Sequence, residues 1–203
     1  FLLYDQIYWL LADDSAPHAT PVELVPEVAP YTLSIDGISK AFAATGLRVG
    51  WAVGPPYLIS RMKDLLGHVG AWAPRPEQAA TAELFAEPAL VERLADGIRR
   101  GINVRLAALD RGLSALAAKG YPVRHLPPAG ALYLSAHFDL LDRFENNRGI
   151  RKYLLEEAGF AMVPFHAFGT PDDNGWFRLS VGAVGVDEIP AAIARVDAAL
   201  AKI

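Results

Sequence analysis

The sequence predicts an α/β protein followed by a smaller α+β part. In the first part, short apolar segments alternate with helical patterns, an order typical of strands joined by helical crossovers. A long amphipathic pattern then begins at Pro88, and short strands with two further helices follow it. The first part is expected to hold a mainly parallel sheet, because parallel strands need crossover connections.

The elements of the first part are predicted from apolar segments and from the residues that end them. Residues 13–30 are rich in Asp, Ser, Pro and Thr and are predicted to form a loop. The opening segment is apolar from its first residue, which predicts a buried strand, and buried strands need neighbours. The chain is therefore expected to be the C-terminal part of a longer protein. The predicted strands are residues 1–5, 31–37 and 48–54, and the predicted helices are residues 57–69 and 77–86.

The second part depends on one long helix. Leucine and isoleucine recur every three or four residues between Leu90 and Leu116, which predicts a helix over about residues 88–119 that Gly120 ends. A domain boundary inside this helix is expected to separate residues 1–94 from residues 95–203. The remaining predicted strands are residues 121–127, 131–138, the first half of 159–169, and 176–184, and the remaining predicted helices are residues 146–158 and 187–202.

The composition excludes several classes of function. The 203 residues are 52% hydrophobic and 21% charged, which is typical of a globular chain, and the net charge of -4 disfavours nucleic acid and anionic membranes as partners. The chain has no cysteine and its five histidines lack metal-ligand spacing, so no metal site is predicted. No apolar run is long enough to cross a bilayer, and the expected location is the cytoplasm.

Lys40 is the unusual cation of the sequence. The chain contains only five lysines, and the other four lie on predicted helices or helix ends, where solvated ammonium groups are normal. Lys40 instead follows Ser39 and is followed by the small residues Ala41, Ala43 and Ala44. A lysine in a confined site holds its proton less tightly and can form a Schiff base with a carbonyl cofactor. On this local pattern alone, a surface lysine on a turn is an equal alternative.

The residues after Lys40 give a wider pattern. Ser39 and Lys40 are followed by Gly-Leu-Arg-Val-Gly at residues 46–50, with Arg48 eight positions after the lysine. This stretch resembles the Schiff-base lysine motif of class I/II aminotransferases, the fold-type I pyridoxal-phosphate enzymes. The resemblance implies that Lys40 binds pyridoxal 5′-phosphate and moves the proton between the substrate Cα and the cofactor. It also implies that Arg48 binds the cofactor phosphate, with Ser39 as a further cofactor contact.

Two outer segments extend the resemblance along the chain. The Asp-Gln-Ile-Tyr segment at residues 5–8 is similar to the family's Asp-x-x-Tyr, which implies that Asp5 bonds the pyridine nitrogen and Tyr8 bonds the cofactor O3′. The Arg-Leu-Ser segment that begins at Arg178 resembles the strand whose arginine binds the substrate α-carboxylate. The resemblance therefore implies fold type I, with a partial large domain over residues 1–94 and a small C-terminal domain over residues 95–203.

Four positions depart from the family pattern or have undecided roles. Gly37 stands where many members carry a hydroxyl residue on the phosphate, and Gln6 replaces a common glutamate that is expected to point away from the cofactor. His166 lies in the loop before Arg178, where a solvated side chain is the more common outcome. Arg75 lies in a turn that reaches the neighbouring subunit in related dimers.

The expected activity is transfer of an amino group between an amino acid and a 2-oxo acid by a homodimer. Two alternatives stay open on the sequence. The same residues would serve a pyridoxal-phosphate-dependent C–S lyase or related eliminase, because the reaction type depends on which Cα bond lies perpendicular to the ring. The chain is also compatible with a non-catalytic fragment or with the aminotransferase-like module of a regulator.

Overall fold

The computed structural model describes residues 1–13, 18–171 and 173–203, and the chain forms two compact units, Phe1–Arg100 and Gly101–Ile203. The division lies inside helix α4, Pro88–Ala118, as does the expected boundary between residues 94 and 95. Residues 14–17 of the predicted loop lie outside the described residues. No helix within the described ranges is long and apolar enough to cross a membrane.

The first unit contains a three-stranded sheet in the order β1-β2-β3. Strands β1 and β2 are parallel, whereas β2 and β3 are antiparallel, so the sheet is mixed and not mainly parallel as predicted. The connection from β1 to β2 is long enough for a crossover, whereas residues 38–49, which join β2 to β3, contain a short 3-10 turn at Thr45–Leu47 and no crossover helix. The elements are β1 Leu2–Asp5, α1 Pro21–Leu24, β2 Thr32–Gly37, β3 Gly50–Val53, α2 Pro56–Val69 and α3 Arg75–Phe85.

Strand β1 is exposed, and the prediction of a buried strand was wrong for the structure as described. It pairs with β2 on one side and lies at the edge of the sheet, where Leu3 keeps 65% of its surface exposed. Apolar composition predicted burial because it cannot distinguish an edge strand from a central one.

Part of the predicted loop before β2 is helical. The Thr20 hydroxyl accepts a hydrogen bond from the Glu23 backbone and the Glu23 carboxylate accepts one from the Thr20 backbone, which is a capping box at the start of α1. A 3-10 helix follows at Pro26–Tyr31. Pro21 and Pro26, two of the prolines in the predicted loop, occupy the first positions of these helices, where a proline nitrogen is not needed as a donor.

The second unit contains a four-stranded antiparallel sheet in the order β4-β5-β7-β6. Side chains alternate between its two faces. The buried face includes Phe138 and Phe177, whereas Tyr133 and Arg178 lie on the opposite face. The elements are β4 Val123–His125, β5 Tyr133–Phe138, α5 Asn147–Ala158, β6 Val163–Pro164, β7 Trp176–Ser180 and α6 Glu188–Leu200.

The helical residues of the second unit supply most of its core. Five apolar residues of α4 are buried at the predicted spacing, and burying each one contributes about 1.5–3 kcal/mol relative to an exposed position. Asn146 caps the start of α5 by accepting from the Gly149 backbone, and Gly159 ends it with a positive φ. The buried apolar α4 residues of the second unit are Ile102, Leu106, Leu109, Leu113 and Leu116.

The loop before β7 is fixed by buried polar groups. The Gly175 backbone nitrogen donates to the Asn147 side chain at 2.8 Å, and the Gly175 carbonyl accepts from the Phe138 backbone at 2.9 Å. Gly175 has a φ of +73°, and a Cβ there would lie 2.8 Å from the Phe138 carbonyl oxygen. Glycine is required at this position by conformation and by space.

We expect Gly175→Ala to destabilise the protein more than Gly120→Ala does. Gly120 also has a positive φ, +92°, but a Cβ there would meet nothing within 4 Å. Both substitutions carry the left-handed backbone cost of about 1–2 kcal/mol, and Gly175→Ala adds an overpacking cost of about 1–3 kcal/mol. Urea unfolding of the two variants measures the difference, and equal losses of unfolding free energy would contradict the steric argument.

His137 is a buried titratable group on β5. Its side chain is 6% exposed, and its ring lies 5.1 Å from that of Trp176. Burial lowers the pKa of His137, and the positive charge of Arg124 lowers it further, while Asp139 and a backbone hydrogen bond at Asn174 act in the opposite direction. The folded protein therefore favours the neutral imidazole.

This lowered pKa predicts a loss of stability in mild acid. The imidazole of the unfolded chain titrates near pH 6.5, above the folded pKa. The contribution of the neutral His137 to the free energy of unfolding is therefore complete above pH 6.5 and is lost as the pH falls below it. Between pH 7 and 5 the free energy of unfolding should fall by up to about 1.4 kcal/mol per pH unit because of this group. His137→Leu should remove that slope, whereas His68→Gln, a change at an exposed position on α2, should keep it. Identical slopes in both variants would exclude His137 as the cause.

Candidate active site

The parallel pairing of β1 and β2 places the turns that follow these two strands next to each other. Asp5, the last residue of β1, is in register with Ile35, and the Gln6 backbone donates to the Ile35 carbonyl at 3.0 Å. The carboxyl ends of parallel strands meet at one edge of a sheet. The turn after β1 carries Tyr8 and the turn after β2 carries Lys40, so the fold brings these predicted residues together.

Lys40 and Tyr8 form the centre of this edge. The Lys40 Nζ lies 5.9 Å from the centre of the Tyr8 ring, and both side chains are half-buried. Asp5 is more exposed, and its Oδ1 accepts a hydrogen bond from the Ile7 backbone at 3.1 Å. This bond closes the turn around Asp5. The edge therefore presents an amine, a phenol and a carboxylate from three positions of the predicted site.

The segment that carries Lys40 is held at both ends by a close approach of β2 and β3. A Cβ on Gly37 would lie 2.8 Å from the Val49 carbonyl oxygen, and a Cβ on Gly50 would lie 2.9 Å from the Asp36 carbonyl oxygen. The Ile38 backbone also donates to Val49 at 3.2 Å. A hydroxyl side chain has no room at position 37 in this arrangement, which gives a physical reason for the glycine there.

Arg48 and Ser39 lie on the same segment. Arg48 is exposed and has left-handed backbone angles, with φ 58° and ψ 39°. Its Nη1 donates to the Thr45 carbonyl at 2.7 Å, so one side of the guanidinium fixes the 3-10 turn at Thr45–Leu47. Ser39 is half-buried beside Lys40. Positive φ at a non-glycine residue stores backbone strain of the kind found at functional sites.

Asp36 is a residue of this region that the sequence patterns did not single out. The residue is 6% exposed, and its carboxylate accepts from the Trp9 indole at 2.7 Å, from the Gly37 backbone at 2.7 Å and from the Gln6 side chain at 3.4 Å. Burial raises the pKa of the Asp36 carboxyl, the three hydrogen bonds act against that rise, and the nearby charge of Asp5 adds to it. An acid at the end of a predicted strand is the sequence signal that could have identified it, because a buried charge needs partners.

Arg178 lies in the second unit and packs against aromatic rings. Its guanidinium carbon is 4.1 Å from the Tyr133 ring centre and 4.2 Å from the Phe168 ring centre. Aromatic faces stabilise a cation without neutralising its charge, by about 0.5–2 kcal/mol. The N–H donors in the guanidinium plane therefore keep their affinity for an anion.

The two undecided side chains lie at exposed positions. His166 is exposed in the 3-10 turn Phe165–Phe168, and its Nδ1 is 3.5 Å from the Asp173 carboxylate. Arg75 is exposed in the first turn of α3. Within the parts of the chain that the structure describes, no group of three or more His, Cys, Asp or Glu side chains is arranged to hold a metal ion.

The sequence matches one protein family over nearly its whole length. The model of the family described as aminotransferase class I and II matches residues 1–196. Aspartate aminotransferase of Geobacillus stearothermophilus is 30% identical over 199 residues, which cover 96% of this chain and 48% of that protein. An aspartate/prephenate aminotransferase of Thermus thermophilus is 34% identical over 172 residues, which cover 83% of this chain and 42% of the relative. The chain thus spans about half the length of these relatives.

Solved structures show the same relationship. Aspartate aminotransferase from Rhizobium meliloti superposes with a TM-score of 0.85 at 28% identity, covering 99% of this chain and 50% of that one. An aromatic aminotransferase from Pyrococcus horikoshii has a TM-score of 0.86 at 23% identity, covering 98% of this chain and 50% of that one, a likeness of fold. The chain belongs to the class I and II aminotransferases, a fold-type I family whose cofactor is pyridoxal 5′-phosphate.

Proposed function

We propose that this chain serves a pyridoxal-phosphate-dependent aminotransferase that moves an amino group between an amino acid and a 2-oxo acid. The observation that carries the proposal is the position of the Lys40 amine beside the Tyr8 ring, at the sheet edge where Asp5 ends β1. The relatives named above are aminotransferases, which supports this reaction. Homodimer assembly, which the sequence resemblance implies, and the cytoplasmic location expected from the sequence belong to the same proposal.

The side chains of the first unit fit the chemical groups of pyridoxal 5′-phosphate. The Lys40 amine suits its aldehyde, and the Asp5 carboxylate suits a protonated ring nitrogen. The Tyr8 hydroxyl suits the ring oxygen, and Arg48 suits the phosphate, because a guanidinium binds phosphate through paired N–H groups. We assign Ser39, beside Lys40, as a further cofactor contact. The donor set thus covers each polar part of the cofactor.

Each of these residues has a distinct role in the proposed reaction. When bound, the cofactor supplies an aldehyde that condenses with amines and a ring that accepts electrons from the bond broken at Cα. Asp5 holds the proton on the ring nitrogen, which preserves that electron-accepting character. The Lys40 amine would take the proton from the substrate Cα and deliver it to the aldehyde carbon of the cofactor. Tyr8 orients the ring by bonding its oxygen.

Arg178 is proposed to bind the α-carboxylate of the substrate. A carboxylate accepts two parallel hydrogen bonds from a guanidinium, and the rings of Tyr133 and Phe168 hold the plane of that guanidinium. The α-carboxylate is common to amino acids and 2-oxo acids, so one arginine serves both halves of the reaction. The same site would also accept substrates of an eliminase, but the named relatives give that alternative no support.

Binding of the cofactor to Lys40 is the first test. Titration of the chain with pyridoxal 5′-phosphate should produce a new visible absorbance band that disappears in Lys40→Ala, because that variant lacks the reacting amine. Lys63→Ala, which changes an exposed lysine of α2, should keep the band. Borohydride reduction followed by peptide mass mapping should place the added mass on Lys40. A band that persists in Lys40→Ala would refute the assignment.

Substitution of Arg178 tests the carboxylate site. In the cofactor-loaded protein, Arg178→Gln should raise the amino acid concentration needed for half-maximal bleaching of the band by about 10- to 100-fold, the effect of losing one charged pair. The affinity for pyridoxal 5′-phosphate should stay unchanged. Arg124→Gln is the matched control, since Arg124 packs on Trp176 of the same strand. Equal losses of cofactor and substrate affinity in Arg178→Gln would remove it from the substrate site.

A further inference from the structure

The buried carboxylate of Asp36 connects two segments that are far apart in sequence. Asp36 is next to last in β2, four residues before Lys40. Its Oδ2 accepts from the side chains of Gln6 and Trp9, and its Oδ1 accepts from the Gly37 backbone. Gln6 and Trp9 lie on either side of Tyr8 in the turn after β1. One carboxylate therefore binds the turn that carries Tyr8 to the strand that leads to Lys40.

The chemistry at position 6 fits this connection. The Gln6 amide donates to Asp36 at 3.4 Å, whereas a glutamate at that position would place a second carboxylate against the first. The expectation that Gln6 points away from the cofactor omitted this contact, which joins residues thirty positions apart. A buried carboxylate is costly unless it is hydrogen-bonded, so the amide at position 6 and the acid at position 36 depend on each other.

We propose that Asp36 is a positioning residue, which sets the separation of the Lys40 amine and the Tyr8 ring by holding the Gln6–Trp9 turn against β2. The effect of Asp36 on cofactor binding rests on the proposed function. The effect of Asp36 on the separation of Lys40 and Tyr8 involves only residues of this chain and does not depend on a bound cofactor. A purely structural role would lower stability on substitution and leave the Lys40–Tyr8 contact unchanged.

Three variants separate these roles. Asp36→Ala removes the connection, and Gln6→Glu opposes it by charge repulsion. The exchange variant Gln6→Glu/Asp36→Asn again has one carboxylate and one amide at these two positions, so it should restore the hydrogen bond between them. Thr32→Val is the matched control, because Thr32 is equally buried on β2 and its hydroxyl bonds the Val28 carbonyl, away from Lys40.

The first measurement reports the contact without any cofactor. Because the Lys40 amine lies 5.9 Å from the Tyr8 ring centre, we expect the ring current of Tyr8 to shift the NMR resonance of the Lys40 Hε protons, and a Tyr8→Leu variant calibrates this shift. We expect Asp36→Ala and Gln6→Glu to lose most of this ring-induced shift, and the exchange variant and Thr32→Val to retain it. Retention in both Asp36→Ala and Gln6→Glu would overturn the proposal. If Asp36→Ala does not fold, Gln6→Glu and the exchange variant still test whether Asp36 positions Lys40 against Tyr8.

The second measurement is the affinity for pyridoxal 5′-phosphate. Asp36→Ala and Gln6→Glu should weaken it about tenfold, the effect of losing one hydrogen bond to a charged group, and the exchange variant should recover most of that loss. Unchanged affinity in Asp36→Ala and Gln6→Glu would overturn the proposed link to cofactor binding. A wild-type chain that binds no cofactor through Lys40 would contradict the proposed function, and the NMR shift would still decide the positioning role.

Discussion

The parallel pairing of β1 with β2 is the constraint on which the site in the first unit depends. Two strands that run in the same direction end at the same edge, so the turn with Tyr8 and the turn with Lys40 become neighbours although more than thirty residues separate them. An antiparallel pair would place these turns at opposite ends of the sheet. The long connection between β1 and β2 makes that parallel arrangement possible.

Both units hold a charged group at a partly buried position, and they stabilise it in different ways. Asp36 is surrounded by hydrogen-bond donors, which satisfy its oxygens and leave little affinity for a further ligand. Arg178 instead packs against two aromatic rings, which leave its N–H groups able to bind an anion. The contrast explains why Asp36 suits a positioning role and Arg178 suits a binding role.

The sequence predicted local features better than long-range ones. The long helix was evident because its leucines follow the helical period, and the Lys40–Arg48 spacing was evident because it lies within nine residues. The Asp36 connection was not, since its partners Gln6 and Trp9 precede it by about thirty residues and no local pattern joins them. The exposure of β1 and the antiparallel direction of β3 depend on strand order, which apolar composition does not encode.

The close approach at Gly37 and Gly50 shows how steric limits shape the predicted cofactor site. Each glycine leaves space for a carbonyl oxygen of the opposite strand, so both ends of the segment 38–49 are fixed while its middle carries Lys40 and Arg48. A side chain at either glycine would push the strands apart and widen the base of this segment. Arg48, the proposed phosphate ligand, lies on this segment, and its left-handed backbone and its bond to the Thr45 carbonyl restrict its direction.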